Sequence, residues 1–283
     1  MSSSANSPCP YTLIMHEPTT SPAPPQRSFT SLLYLIVFFL FCSLGSVIFC
    51  LYLLEPDAKI SSVTRPTPHK ITPNPVLYEL LKEDVSIRRK RLRKRYEEAS
   101  TNADRDAALV DARKLLESIA PEMMRCWLGT KWDFNGMTET PGDGKIACGY
   151  FVNTILRDTG FNLPRIKLSQ QPSQTILRAF VPRTSMTVMS NASYQRFSED
   201  LLSNEPGIYI VGLDNHVGFI LHQGSSFRFI HASGRPPWTV VDEPADHAQS
   251  LELSKYRVFG NITAEVDTLK KWLTNTPVYP PRP

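Results

Sequence analysis

The stretch that decides the fold runs Gly144-Lys145-Ile146-Ala147-Cys148-Gly149-Tyr150-Phe151-Val152-Asn153-Thr154-Ile155-Leu156. Apolar side chains recur at helical spacing after Cys148, and Gly160 is a suitable C-terminal stop, so the stretch predicts a helix that begins at the cysteine. A thiol in the first helical turn lies at the positive end of the helix dipole, which favours the thiolate. The free N–H groups of that turn can stabilise an oxyanion. Cys148 is therefore a candidate nucleophile, although a buried structural cysteine is the commoner case.

Two histidines follow in a predicted β-hairpin. Strand-like runs begin at His216 and at Phe227, and a short polar loop separates them. If the hairpin closes at Gln223-Gly224, His216 pairs with His231 and their Cβ atoms lie roughly 5 Å apart. His216 is then the candidate base for Cys148, and His231 is the group that orients it. The alternative is a pair of half-buried strand histidines bonded to the backbone.

Several blocks of sequence occur in the order that a known enzyme family has them. They cover residues 127–136, 147–152, 163–165 with 169–171, 206–210, 216–218 and 229–233. Together, over about residues 107–263, they resemble the NlpC-type cell-wall endopeptidases, which are bacterial cysteine hydrolases of the papain-like superfamily. The resemblance implies catalysis by Cys148, His216 and His231, and a peptide or other amide as the substrate. It further implies a peptidoglycan stem peptide, cleaved outside the cytoplasmic membrane.

The chain departs from that family around the nucleophile and in the cleft. The family usually has Asp-Cys-Ser, whereas this chain has Ala147-Cys148-Gly149. Trp132 stands where the family has a tyrosine, and Asn135 replaces the first glycine of a pair. Trp132 is a possible second donor to the oxyanion, beside the backbone N–H of Cys148. The departures leave the substrate preference less defined than the chemistry.

The predicted fold is α+β, with a papain-like domain at residues 107–265 in which the nucleophile helix packs on an antiparallel sheet. The expected strands cover about residues 207–213, 216–222, 227–233, 238–242 and 256–263. A helix over about residues 107–119 is expected to end before Pro121. Residues 166–204 carry few periodic signals and are expected to form helices beside the cleft. Residues 266–283 are expected to be a C-terminal tail.

The first hundred residues are unlike a globular core. Residues 1–27 are rich in Ser, Thr and Pro and predict a disordered tail. Residues 28–54 contain no charged side chain and are long enough to form one transmembrane anchor. A cleaved signal peptide is less favoured, because the apolar run exceeds the usual length. Residues 55–75 predict a Pro-rich spacer, and residues 76–106 a basic helical stalk.

The basic character of the chain is local. Seven of the eight residues 88–95 are Arg or Lys, which exceeds the net charge of +4, so the remainder is net acidic. A solvated helix face is the simplest interpretation, and contact with anionic lipid or an anionic wall polymer is the alternative. No basic-aromatic motif argues for nucleic acid as a partner.

The membrane orientation has two opposing indications. Arg27 alone precedes the predicted span, whereas Lys59, Arg65 and Lys70 follow it, so the positive-inside rule prefers a cytoplasmic C-terminal domain. The family resemblance implies an extracytoplasmic domain on a single-pass cell-membrane protein. We retain the second as the expectation.

The spacing of cysteines and histidines indicates whether the domain could contain a disulfide or a metal site. Cys126 and Cys148 are the two cysteines of the predicted domain, and a disulfide between them would block the chemistry. The histidines lack the spacing of metal ligands, and we expect neither a metal nor another cofactor. Two other functions stay open: a catalytically silent domain that binds an envelope ligand, and an acyltransferase that uses the same site.

Overall fold

The computed structural model describes residues 72–281, which fold into an antiparallel sheet with helices on both faces, an α+β arrangement. The predicted tail, anchor and spacer, up to residue 71, lie outside the described residues. Within residues 72–281 no helix is both long enough and apolar enough to cross a membrane.

Eight strands occur in the described part of the chain. They are β1 (Lys131–Trp132), β2 (Lys145–Ile146), β3 (Thr187–Ser190), β4 (Gly207–Leu213), β5 (Val217–His222), β6 (Phe227–Ala232), β7 (Val240–Pro244) and β8 (Tyr256–Asn261). The first two form a short parallel pair, and the other six form one antiparallel sheet in the order β3-β8-β4-β5-β6-β7. Ile208 and Ile210 contribute to one core, and Tyr209 and Val211 to a second core on the opposite face. This alternation explains why the central strands are almost continuously apolar.

The helices sandwich this sheet. They are α1 (Pro75–Glu98), α2 (Asn102–Arg125), α3 (Cys148–Asp158), α4 (Arg165–Ser169), α5 (Ser173–Arg178), α6 (Tyr194–Ser203), α7 (Gln249–Glu252) and α8 (Val266–Thr274), with 3₁₀ turns at Arg183–Ser185 and Ala245–His247. The nucleophile helix α3 packs on β5 and β6, and Phe151 meets Phe219 edge-on with ring centroids 6.1 Å apart. The predicted helix at Cys148 and its packing on an antiparallel sheet are confirmed.

The predicted end of the second helix before Pro121 is wrong. Helix α2 continues through Pro121 to Arg125. A proline inside a helix removes one backbone hydrogen bond and costs about 3 kcal/mol. Apolar side chains are buried on both sides of it, including Ile119 and Met123. Each such side chain contributes roughly 1.5–3 kcal/mol, so burial offsets the lost bond.

The predicted register of the histidine hairpin is wrong by two residues. Phe219 lies opposite Ile230, which puts residue 218, rather than His216, opposite His231. The hairpin closes one residue later than predicted, with Gln223 bonded to Ser226 at 2.9 Å around Gly224, whose φ is +91°. Glycine tolerates that left-handed conformation, which fixes the turn there.

Both ends of the described chain belong to the core. Tyr78 of α1 is fully buried, its hydroxyl donates to Asp158 at 2.9 Å, and its ring lies 5.6 Å from that of Trp127. Residues 266–283, expected to be a tail, include α8, in which Trp272 is fully buried and its indole N–H donates to the Thr159 carbonyl. Residues 166–204, expected to be helical, also supply edge strand β3.

The basic cluster of α1 is largely engaged within the domain. Arg89 donates to the Trp272 carbonyl at 2.6 Å at the C-terminal end of α8. Four other members form ion pairs: Arg88 with Asp84, Arg93 with Glu97, Lys94 with Glu98 and Arg95 with Asp111. Within residues 72–281, Lys90 and Arg91 are exposed and have no carboxylate partner.

Candidate active site

Cys148 is the first residue of α3, and Ala147 occupies the N-cap position without a side-chain hydrogen bond. An alanine cap leaves the first-turn N–H groups without the oxygen that Ser, Thr, Asp or Asn would supply, at a cost of about 1 kcal/mol. Those N–H groups include the ones of Cys148 and Gly149, which lie beside the Cys148 sulfur.

Gly149 allows α4 to close on the nucleophile. A Cβ at this position would lie 2.5 Å from the backbone oxygen of Ser169, the last residue of α4. Glycine at this position therefore has a steric reason in this chain. The close approach of α4 to Gly149 places the polar segment Ser169-Gln170-Gln171 at the edge of the cleft that holds Cys148.

The thiol of Cys148 is free and partly exposed, and Cys126 is also free, so the disulfide between them is not formed. Burial raises the pKa of the Cys148 thiol, although the backbone N–H groups of Val217, Gly149 and Cys148 act to lower it. The N–H groups at the helix start therefore act in the expected direction, but burial outweighs them and the pKa of the thiol is raised. Val217 directly follows His216, so the sulfur lies beside the start of β5, where the base is placed.

The two histidines meet despite the register error. His216 Nε2 lies 2.7 Å from His231 Nδ1, and the ring centroids are 4.7 Å apart. A shift of two residues keeps every side chain on its own face of a sheet, so the rings meet diagonally instead of directly. Gly218 makes room for them, because a Cβ there would lie 2.8 Å from the Cβ of His231 and 2.6 Å from the ring of Phe229.

Glu243 is a site residue that the sequence did not reveal. Its Oε2 lies 3.0 Å from His231 Nε2, on the side of the ring away from His216. Strand β7 places Val241 opposite His231 and Glu243 opposite Phe229, so Glu243 shares the face of His231. In the sequence, the only indication of this contact is the alternation of side chains along β7. It identifies Glu243 only when the register of β7 against β6 is known.

Both histidine rings favour the neutral form. Burial lowers the pKa of His216 well below its ordinary value, and the neighbouring His231 and Arg235 lower it further. Burial likewise lowers the pKa of His231 to about 3. Burial raises the pKa of Glu243, while His247 opposes that change.

One cleft of about 1130 Å³ contains the predicted site residues except His231, which is buried behind His216. Its walls include Trp132, Ala147, Cys148, Gly149 and His216, together with Phe134, Met137, Arg235 and Trp238. The ring centroids of Trp132 and Trp238 lie 5.6 Å apart. Trp238 has a φ of +61°, which is strained for a bulky residue and occurs here at the cleft wall.

Trp132 contributes a ring face to the cleft. Its indole N–H is buried and has no hydrogen-bond partner, so in this conformation it offers no accessible donor to an oxyanion. The backbone N–H groups at the start of α3 are the alternative donors. Among residues 72–281 no cluster of three or more His, Cys, Asp or Glu side chains could hold a metal ion.

Comparisons with protein-family models, with curated proteins and with solved structures found no match to this chain. Cys148 at the start of α3 and His216 line the same cleft, and His231 lies behind His216; among residues 72–281 no hydrogen bond joins the Cys148 sulfur to either ring.

Proposed function

We propose that this protein is a cysteine hydrolase that cleaves an amide bond. The observation that carries the proposal is the 2.7 Å contact between His216 Nε2 and His231 Nδ1. That contact occupies one nitrogen of His216 and leaves Nδ1 for Cys148, whose side chain lines the same cleft. The contact supports the roles of His216 as base and His231 as its orienting group; transfer of the thiol proton requires Cys148 and Nδ1 of His216 to come within hydrogen-bond distance when substrate binds.

In the first step the Cys148 sulfur attacks the amide carbonyl carbon while its proton passes to Nδ1 of His216. The raised pKa of the Cys148 thiol and the lowered pKa of His216 describe a neutral resting pair, so proton transfer accompanies attack. First-turn backbone N–H groups of α3 bind the oxyanion. The carbon–nitrogen bond then breaks as His216 returns the proton to the amine, which leaves a thioester. Water, deprotonated by His216, releases the acid and restores the thiol.

For the substrate we propose a peptidoglycan stem peptide, and for the fold family a papain-like domain of the NlpC type. The support is the family resemblance and the chain order of Cys148, His216 and His231. We propose an anchor at residues 28–54 with the catalytic domain outside the membrane. Contact of residues 88–95 with anionic lipid or wall polymer would depend mainly on Lys90 and Arg91, because the other side chains are engaged.

A domain that binds an envelope ligand without turnover is the second candidate. The raised pKa of the Cys148 thiol favours it, because a buried neutral thiol is a poorer nucleophile than a thiolate. An acyltransferase would use the same residues, with an amine or alcohol replacing water in the second step.

Digestion of purified peptidoglycan fragments by the full-length chain tests these candidates, with new amino groups and cleaved peptides measured by mass spectrometry. We expect turnover that Cys148→Ser abolishes and Cys126→Ser retains. Binding of fragments without a Cys148-dependent product would favour the silent domain. Peptide transfer to an added amine would favour the acyltransferase. A reporter fused to the C-terminus distinguishes the two membrane orientations.

A further inference from the structure

Three side chains form one chain of hydrogen bonds behind the cleft. His216 Nε2 lies 2.7 Å from His231 Nδ1, and His231 Nε2 lies 3.0 Å from Glu243 Oε2. His231 is fully buried, so these two contacts satisfy both nitrogens of its ring. A neutral imidazole has one N–H donor and one acceptor nitrogen. The hydrogen bonds along the chain must therefore all run in the same direction.

With Glu243 ionised, the direction is fixed from its end. A carboxylate can only accept, so His231 Nε2 carries the hydrogen and donates it to Glu243. His231 Nδ1 is then an acceptor, and His216 Nε2 must donate to it. His216 Nδ1 is left with a lone pair, which is the state that a base requires.

One more proton on the Glu243 and His231 pair reverses this order. If the proton is on Oε2 of Glu243, the oxygen that faces the ring, this hydroxyl donates to His231 Nε2, and His231 Nδ1 becomes a donor. If the proton is on His231 instead, both ring nitrogens are donors. In either case His216 Nε2 must accept, and the hydrogen of His216 lies on Nδ1. That tautomer cannot take the thiol proton.

We infer that Glu243 is a positioning residue that sets the tautomer of His216, so that a proton held by the Glu243 and His231 pair turns the base off. The inference rests on the proposed role of His216 as the base, and its primary readout is the position of a ring hydrogen rather than turnover. The proton is taken from solvent and returned to it, so the change needs no other reactant.

The surroundings of Glu243 set the direction of the pH response. Burial raises the pKa of Glu243, and His247, on the following 3₁₀ turn, acts against this change. His231 faces Glu243 from β6. Asp242 lies on the other face of β7, where it forms ion pairs with Arg125 and Arg228. The exposed Asp246 lies beside His247. The base is therefore competent above the raised pKa of Glu243 and is lost as the pH falls through it.

Histidine-ring nitrogen NMR of the full-length chain tests the inference. The chain has six histidines, so His216→Gln and His231→Gln spectra assign the two relevant rings. Near neutral pH we expect His216 to carry its hydrogen on Nε2. On acidification we expect the hydrogen to move to Nδ1, with a loss of turnover of about a hundred-fold or more, the usual contribution of a general base.

The Glu243→Gln variant has no carboxyl group to titrate, so its His216 tautomer should not change over the pH range in which the wild type switches. The exposed carboxylate Asp246 provides the matched control, and Asp246→Asn should switch as the wild type does. A hydrogen on Nδ1 of His216 near neutral pH, or a wild-type switch in Glu243→Gln, would overturn the inference. A normal switch in a chain that hydrolyses nothing would support the inference and refute the proposed function.

Discussion

The backbone oxygen of Ser169 lies where a side chain at Gly149 would begin, 2.5 Å from the Cβ that any other residue would carry. Two effects predict opposite signs for Gly149→Ala. Helix propensity alone would stabilise the protein by about 1 kcal/mol. Steric conflict with backbone atoms costs roughly 1–3 kcal/mol or more, and it should dominate because α4 must move. Urea denaturation of the variant should therefore show a lower free energy of unfolding, and an increase would refute the steric argument.

The reactivity of Cys148 should follow the raised pKa of its thiol. Because the thiolate is the reacting species, alkylation by iodoacetamide should keep accelerating as the pH rises through and above neutrality. Cys126 is buried and its pKa is raised to about 11, so it should react more slowly at every pH. Peptide mass spectrometry measures both rates in one sample. A Cys148 rate already maximal in acid would instead indicate an ion pair with His216.

Acid should destabilise the fold through the buried histidines. The pKa of His231 falls from its ordinary value of 6.5 to about 3 in the folded protein, and that of His216 is also lowered. The unfolded chain takes up protons first, so this stability is complete above about pH 6.5 and is lost progressively towards pH 3. The loss should be on the order of a few kcal/mol, and the raised pKa of Glu243 offsets part of it.

Urea denaturation at several pH values measures that loss. His231→Leu should show a weaker dependence of the unfolding free energy on pH between about pH 6.5 and pH 4. Gln223→Leu, at an exposed position without an ionisable side chain, serves as the control and should retain the wild-type dependence. A wild-type unfolding free energy that does not vary over this range would contradict the prediction.

Arg235 should influence His216 through charge. Within residues 72–281 its guanidinium has no carboxylate partner, and its positive charge lowers the pKa of His216. Arg235→Gln should therefore raise that pKa, as measured by an NMR titration of the His216 ring. Arg183→Gln, on a 3₁₀ turn away from the cleft, should leave it unchanged. A lower or unchanged pKa of His216 in Arg235→Gln would contradict this prediction.

Local patterns predicted the elements of this fold well. The helix at Cys148 and the central strands follow from apolar periodicity, which reports which faces are buried. The pairing of His216 with His231 was predicted for the wrong register. The two rings still meet, because a slip of two residues keeps each side chain on the same face of the sheet.

Features that depend on tertiary packing could not be predicted from the sequence. Pro121 does not end α2, because burial on both sides outweighs a local penalty. The pKa of the Cys148 thiol is raised although the N–H groups at the helix start lower it, because burial in the assembled cleft has the larger effect. Glu243 joins the site diagonally across β6 and β7, and no sequence spacing encodes that contact.

The burial of Tyr78 and Trp272 in the same core determines how the molecule unfolds. The first belongs to α1 and the second to α8, and Arg89 bonds one helix to the other. The backbone N–H of Val278 also bonds to Asn162. Neither terminal segment can therefore open without exposing apolar surface of the central domain, and both should melt with it as a single cooperative unit. A fragment beginning at residue 107 or ending at residue 265 would lack part of its own core and should be readily degraded by proteases.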